Sequence, residues 1–242
     1  MQTNQVVEVL LGYKNDQYKH FTEKVIPNIN PDRFLGVCFA NLKRVARDMV
    51  KQNNFQSFLN SPKKYYIEEF ILYGMIVDKL NLPLDQTIKY VNDILPYVDN
   101  WDVCDNLSFS VFAKNPEALL PFIKEWLNSS LPYTQRYGIV QLIKYFIDER
   151  FSAQILELAQ LPQSTEFYVQ MALGWFYSFA LAKHYQQTLP LFEQQVLPFN
   201  VHNIAIEKCK EGRLMDAKTK KHISTLKRHK PRTKQAEQPQ SA

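Results

Sequence analysis

Apolar residues recur three and four positions apart along almost the whole chain, and alternation with a period of two is rare. That spacing gathers the apolar groups of each segment on one side of a helix, so the pattern predicts helices rather than a sheet. Residues 15–26 form the first amphipathic segment, closed by Pro27 and the Asn28-Ile29-Asn30-Pro31 turn. Leu42, Val45, Ala46, Met49 and Val50 make the stripe of the next. Ser61-Pro62 is expected to open a third, since proline suits a first helical turn, with Tyr66, Phe70, Tyr73, Ile76 and Val77 on its buried side. Further helices are expected over 84–98, 101–114, 116–128, 132–147, 153–161, 165–183, 189–196, 201–212 and 216–228. Residues 165–183 are apolar almost all round, which predicts a central, buried helix.

About twelve helices with short connections describe an all-α chain. Five of the six glycines fall at 36, 74, 138, 174 and 212, and three of the four gaps are 36 to 38 residues. That is the length of a helix hairpin, so the spacing favours an α-solenoid, a curved array of antiparallel helix pairs. Such an array exposes one helix of each pair on a concave face. Residues 1–228 read as one domain. Residues 229–242 are poor in apolar groups and rich in Lys, Gln and Pro, and are expected to form a disordered tail.

Composition narrows the function classes. A hydrophobic fraction of 45% in 242 residues suffices for a sizeable core. No apolar run reaches the ~20 residues of a membrane helix; the longest stretch, 167–182, is interrupted by Gln170, Gly174 and Ser178. Met1-Gln-Thr-Asn-Gln5 is not a charged region leading into an apolar one, so no signal peptide, no membrane contact and a cytoplasmic location are expected. Cys38, Cys104 and Cys209 are odd in number and far apart, against a disulfide framework or a Cys-x-x-Cys zinc site. The five histidines show no metal-ligand spacing, so neither metal nor cofactor is expected. Phosphate-binding glycine loops and a Gly-x-Ser-x-Gly elbow are missing from the sequence, which leaves a carboxylate-based hydrolase as the viable enzyme class.

The net charge of +5 hides an asymmetry. Residues 208–234 hold eleven Lys/Arg against two acids, while the rest of the chain is mildly acidic. A basic segment on an acidic body suits a polyanionic partner, although a solubilising tail has the same composition.

Three predicted helices carry large polar or aromatic groups beyond what a core needs. The first offers Trp101, Asp102 and Asp105, the second Tyr133, Arg136 and Tyr137, the third Tyr168, Gln170, Trp175 and Tyr177. Trp101 and Asp105 stand four residues apart and share a helix face. A carboxylate beside an indole can stabilise a developing cation. Each group also has a structural reading: the tryptophans suit a core, Asp102 suits a helix N-terminus, and Arg136 suits an ion pair with a neighbouring acid.

Trp101-Asp-Val-Cys-Asp105, Gln135-Arg136, and Gly174-Trp175 followed by Lys183 resemble the AlkD-like DNA alkylation repair family. Phe34-Leu-Gly-Val37 with Asn41-Leu-Lys-Arg-Val-Ala46 is similar to that family's N-terminal repeat, and Asn203-Ile-Ala-Ile-Glu-Lys208 to its penultimate helix. The resemblance runs from about residue 5 to residue 228 and implies a superhelix of HEAT-like pairs with a concave DNA-binding face. It implies a monofunctional glycosylase that removes positively charged N3- or N7-alkylated purines from duplex DNA, acting as a monomer. By the resemblance, Asp105 is the catalytic carboxylate, Trp101 and Trp175 contact the sugar, and Arg136 contacts the DNA backbone. Lys218, Lys220 and Lys221 are expected to add electrostatic affinity. The chain departs from the family pattern at Met171 and Ser178, where basic residues are common, and at Cys38-Phe-Ala40, which replaces a more usual Arg-x-Pro. These departures favour, as an alternative, a noncatalytic repeat protein that recognises distorted or branched DNA. A scaffold for a protein partner is a third reading, opposed by the clustered positive charge.

Overall fold

Short polar side chains set where several helices begin. In a computed structural model that describes residues 1–61 and 63–229, Asn15 accepts the backbone N–H of Tyr18, Asn100 that of Val103, and Asp216 that of Thr219. Glu166 accepts those of Tyr168 and Val169. Each bond satisfies an amide that the first helical turn leaves without a partner.

The described residues form fifteen α-helices and no strand. They are α1 (Thr3–Leu11), α2 (Asp16–Val25), α3 (Phe39–Lys51), α4 (Gln56–Leu59), α5 (Ile67–Lys79), α6 (Leu84–Ile94), α7 (Trp101–Asn106) and α8 (Ser110–Lys114). The chain continues through α9 (Pro116–Leu127), α10 (Pro132–Phe146), α11 (Ala153–Leu158), α12 (Phe167–Lys183), α13 (Tyr185–Glu193), α14 (Phe199–Glu211) and α15 (Ala217–Thr225). The all-α expectation holds. Among these residues no helix is long and apolar enough to cross a membrane.

Packing follows two rows. In the first, α3 lies on α5, α5 on α7, α7 on α10, α10 on α12, and α12 on α14. In the second, α6, α9, α13 and α15 cover α5, α10, α12 and α14 respectively. One apolar cluster extends from Val6 to Ile223. Gly174 on α12 explains the closest meeting: a Cβ there would stand 2.3 Å from Cγ2 of Ile204, so only glycine lets α14 approach this far.

The boundaries differ from the periodicity in instructive ways. The expected helix over 101–114 is two helices, α7 and α8, broken at Leu107-Ser108-Phe109. The break sends both Leu107 and Phe109 into the core, and the Asp78 carboxylate caps α8 by accepting the Ser110 N–H at 2.6 Å. The helix expected from Ser61-Pro62 starts at Ile67, where Glu69 accepts the N–H groups of Tyr65 and Tyr66; Pro62 itself lies outside the described residues. The short helices α1 and α4 have too few turns for the pattern to register. Helix α12 is largely buried as expected, yet Phe167 and Trp175 emerge from it. Of the expected tail over 229–242, residues 230–242 lie outside the described residues.

A strap of extended backbone before α3 is held by one acid. The buried carboxylate of Glu68 on α5 accepts the N–H groups of Leu35, Gly36 and Val37 at 3.1, 2.7 and 3.2 Å. Gly36 sits at φ +84°, a conformation that side chains resist.

Candidate functional site

Helices α7, α10 and α12 are consecutive members of the first row, and they bring the predicted residues together. Asn100 caps α7, which fixes Trp101 and Asp105 one turn apart. Arg136 projects from α10 and is almost wholly buried. Its Nε donates to Asp105 Oδ1 at 2.9 Å and its Nη2 to Asp105 Oδ2 at 2.6 Å. This bidentate pair holds the carboxylate in one orientation. Nη1 donates to the Tyr168 carbonyl on α12 at 2.6 Å, so the arginine ties three helices together.

Asp105 keeps 20% of its side-chain surface exposed, whereas the Arg136 side chain keeps 5%. The acid is therefore reachable and the base is not. Burial opposes charge on Arg136, but the Asp105 carboxylate outweighs it and the guanidinium pKa rises. Lys144, one helical stretch further along α10, donates to the Asp105 carbonyl at 2.8 Å. Burial lowers its pKa, opposed by the nearby Asp105 charge.

A cavity of about 270 Å³ opens beside this pair, lined by Trp101, Arg136, Phe167, Tyr168, Met171, Trp175 and Lys208. Both tryptophans border the same space, and Trp175 is 43% exposed. The third tryptophan, Trp126, behaves as a core residue: it is buried and its indole N–H donates to Asn92 at 2.8 Å. A cavity with four aromatic walls, lined also by an arginine that grips an oriented anion, can receive a cation, or a group that becomes one.

Other sequence candidates fall elsewhere. Tyr137 and Tyr177 are core residues with no exposed surface to offer a ligand. Gln170 accepts a hydrogen bond from Asn200 on α14. Asp102 stands in the first turn of α7, as its helix-N-terminus reading expects, with Asn100 as the cap, and it accepts from Asn106 at 3.0 Å. Burial pushes the Asp102 pKa up to about 6, with the charges of Asp105 and Glu68 adding to the rise. Lys218, Lys220 and Lys221 lie on α15, and none of them borders the cavity. Lys220 is engaged with the Gly212 carbonyl. Ser178 donates to the Trp175 carbonyl at 2.7 Å, and Met171 forms part of the cavity wall.

Three residues of the site were not singled out from sequence. Phe167 lay within the buried helix expected over 165–183, and Lys144 within the helix expected over 132–147. Lys208 belongs to α14, and only its approach to α12 brings it to the cavity.

A model of the family described as DNA alkylation repair enzyme matches residues 7–195. The matched span contains Trp101, Asp105, Arg136 and Trp175 and ends before α14. A search of curated proteins returned no match.

Proposed function

The chain belongs to the family of DNA alkylation repair enzymes, and from that premise we propose that it is a DNA glycosylase that excises positively charged N3- or N7-alkylated purines from duplex DNA. The observation that carries this reading is the Asp105–Arg136 pair, whose arginine lines the cavity that Trp101 and Trp175 border.

The alkylated base leaves as a neutral purine, and the positive charge it carried passes to the deoxyribose. Asp105 faces that developing cation and stabilises it, and it accepts a hydrogen bond from the water that attacks the anomeric carbon; as the C–O bond forms, the water's proton passes through the carboxylate to solvent. The indoles of Trp101 and Trp175 add cation–π attraction of ~0.5–2 kcal/mol each. A cationic lesion is a good leaving group, so the site needs no strong general acid.

Arg136 takes the ion-pair part that the sequence offered beside the phosphate contact. Two of its N–H groups are engaged by Asp105 and a third by the Tyr168 carbonyl. It acts as a positioning residue that keeps Asp105 aimed. The row of α3, α5, α7, α10, α12 and α14 supports a solenoid reading, with the duplex laid along the inner surface and residues 1–228 working as one monomeric unit.

The test is incubation of the protein with methylated duplex DNA, followed by detection of free 7-methylguanine or 3-methyladenine and of abasic sites. The proposal expects both products in equal amounts, with no strand cleavage. A second reading, a noncatalytic binder of distorted DNA, draws on the uncharged Met171 in the cavity wall. It predicts salt-sensitive binding with no released base, and that result would displace the glycosylase reading.

A further inference from the structure

Trp175 borders two hollows, and the proposed reaction uses only one. The second, about 280 Å³, lies between α12 and α14, with Trp175, Phe179, Ala182, Leu214 and Met215 as its apolar walls. Lys208 borders both hollows. The family match ends at residue 195, so the α14 side of this space lies outside it.

Three features point to what fits there. The walls include a flat aromatic surface: the Trp175 and Phe179 rings lie 6.2 Å apart at 30°, close to parallel. The apolar surface is uncovered, with Leu214 60% exposed beside the half-exposed Trp175. The segment that supplies its α14 side is basic, since residues 208–228 carry eight Lys/Arg against two acids, and the hollow's own wall holds Lys208 and Glu211. A planar ring attached to an anion matches all three, and a nucleotide is such a group.

The chain builds this arrangement through Gly174. Because Ile204 presses against that glycine, the next turn of α14 places Lys208 on the same face, beside Trp175. Cys209 fastens the approach through its thiol, which donates to the Ser178 carbonyl at 3.6 Å. Lys208 pairs with Glu211 at 2.9 Å. That pair is half-exposed and weak enough to exchange.

We infer that the second hollow is a nucleotide subsite. The nucleotide next to the one under repair rests its base on Trp175 and Phe179, and the phosphate linking the two exchanges Glu211 for Lys208. This rests on the DNA reading above but not on excision.

The experiment measures binding of the full chain to two lesion-free duplexes, one fully paired and one with a single extrahelical adenine, over a range of salt. Wild type is expected to prefer the extrahelical base. Ala182→Leu fills the hollow and is expected to cut that preference about tenfold, the scale of one lost base–aromatic stack. Lys208→Gln is expected to lower the salt slope by about one, and Lys208→Arg to restore it. Lys210→Gln controls for charge alone, because Lys210 pairs with Glu207 and borders neither hollow. Glu211→Gln is expected to tighten binding by freeing Lys208.

Full preference retained in Ala182→Leu, or a Lys208→Gln slope no different from that of Lys210→Gln, would overturn the subsite. Self-association abolished by Leu214→Asp would do the same, by giving the hollow to a second copy. Base release is measured separately. Preference without release removes the glycosylase reading and leaves the subsite standing, and release with an unaltered preference does the reverse.

Discussion

Glu68 and Asp105 are both acids on first-row helices, and each is held by partners about thirty residues away. Their surroundings differ in kind. Glu68 is buried and receives three backbone N–H groups from the strap at 35–37, so its oxygens are fully engaged and face the interior. Asp105 is held by one guanidinium fork and keeps 20% of its side-chain surface exposed, and the arginine that grips it lines an aromatic cavity. A carboxylate enclosed by amides is a structural anchor. One gripped by a buried arginine is oriented, yet still able to meet a substrate. Burial alone does not separate the two roles; the chemistry of the partner does.

The largest effect on excision short of altering Asp105 itself belongs to Arg136. Arg136→Gln leaves the acid without its counter-charge and is expected to cost about 3 kcal/mol of stability, the lower part of the range for breaking a buried pair. Excision should fall about a hundredfold, read as release of methylated base per folded molecule. Arg136→Lys restores charge but not the fork, so stability should recover more than excision does. A purely structural arginine would give parallel recovery of both.

Glu68→Gln sharpens the contrast from the other side. It removes charge from three hydrogen bonds and is expected to cost about 2–3 kcal/mol in chemical denaturation. Excision per folded molecule should stay as in wild type. A comparable loss of excision would erase the distinction between anchor and reactive acid.

Trp175→Ala is expected to slow excision between about twofold and thirtyfold, the range of one cation–π contact, with little change in stability because the indole is half in solvent. The matched control is Trp126→Ala, which opens a core cavity and should cost about 3–5 kcal/mol of stability.

The smallest effect concerns Asp102. Its folded pKa of about 6 lies above the ordinary aspartate value of 3.8, so the fold disfavours the charged form. Stability from this group is fully present below pH 3.8 and is lost as pH rises through about 6. Asp102→Asn lacks that titration. Its melting temperature relative to wild type should therefore climb between about pH 4 and pH 6 and level off above. A flat difference across that window would remove the linkage.

Much of this arrangement was legible in the chain. The three-four spacing led to an all-α fold, and Trp101 and Asp105 four residues apart on one helix placed the carboxylate and an indole together. The break at 107–109 was not legible, because Leu107 and Phe109 continue the apolar pattern while the cap on α8 comes from Asp78, 32 residues earlier. The Arg136–Asp105 fork spans 31 residues, and no local pattern distinguishes it from a solvent-facing arginine waiting for a phosphate. Tyr137 and Tyr177 looked like surface aromatics because spacing cannot report which side of a buried helix faces a neighbour. Trp126 and Trp175 are alike in sequence terms; one finds Asn92 for its N–H, and the other emerges where Gly174 draws α14 in.

The most direct measurement is the single-turnover rate of 7-methylguanine release from methylated duplex by wild type and by Asp105→Asn, with protein in excess over DNA. The asparagine keeps the size and one acceptor oxygen but carries no charge. An oriented anion opposite the sugar predicts a rate at least about a hundredfold lower in the variant, the scale of losing one preorganised electrostatic contact, with duplex binding retained. Equal rates in the two proteins would contradict the assignment of Asp105 as the group that stabilises the departing cation.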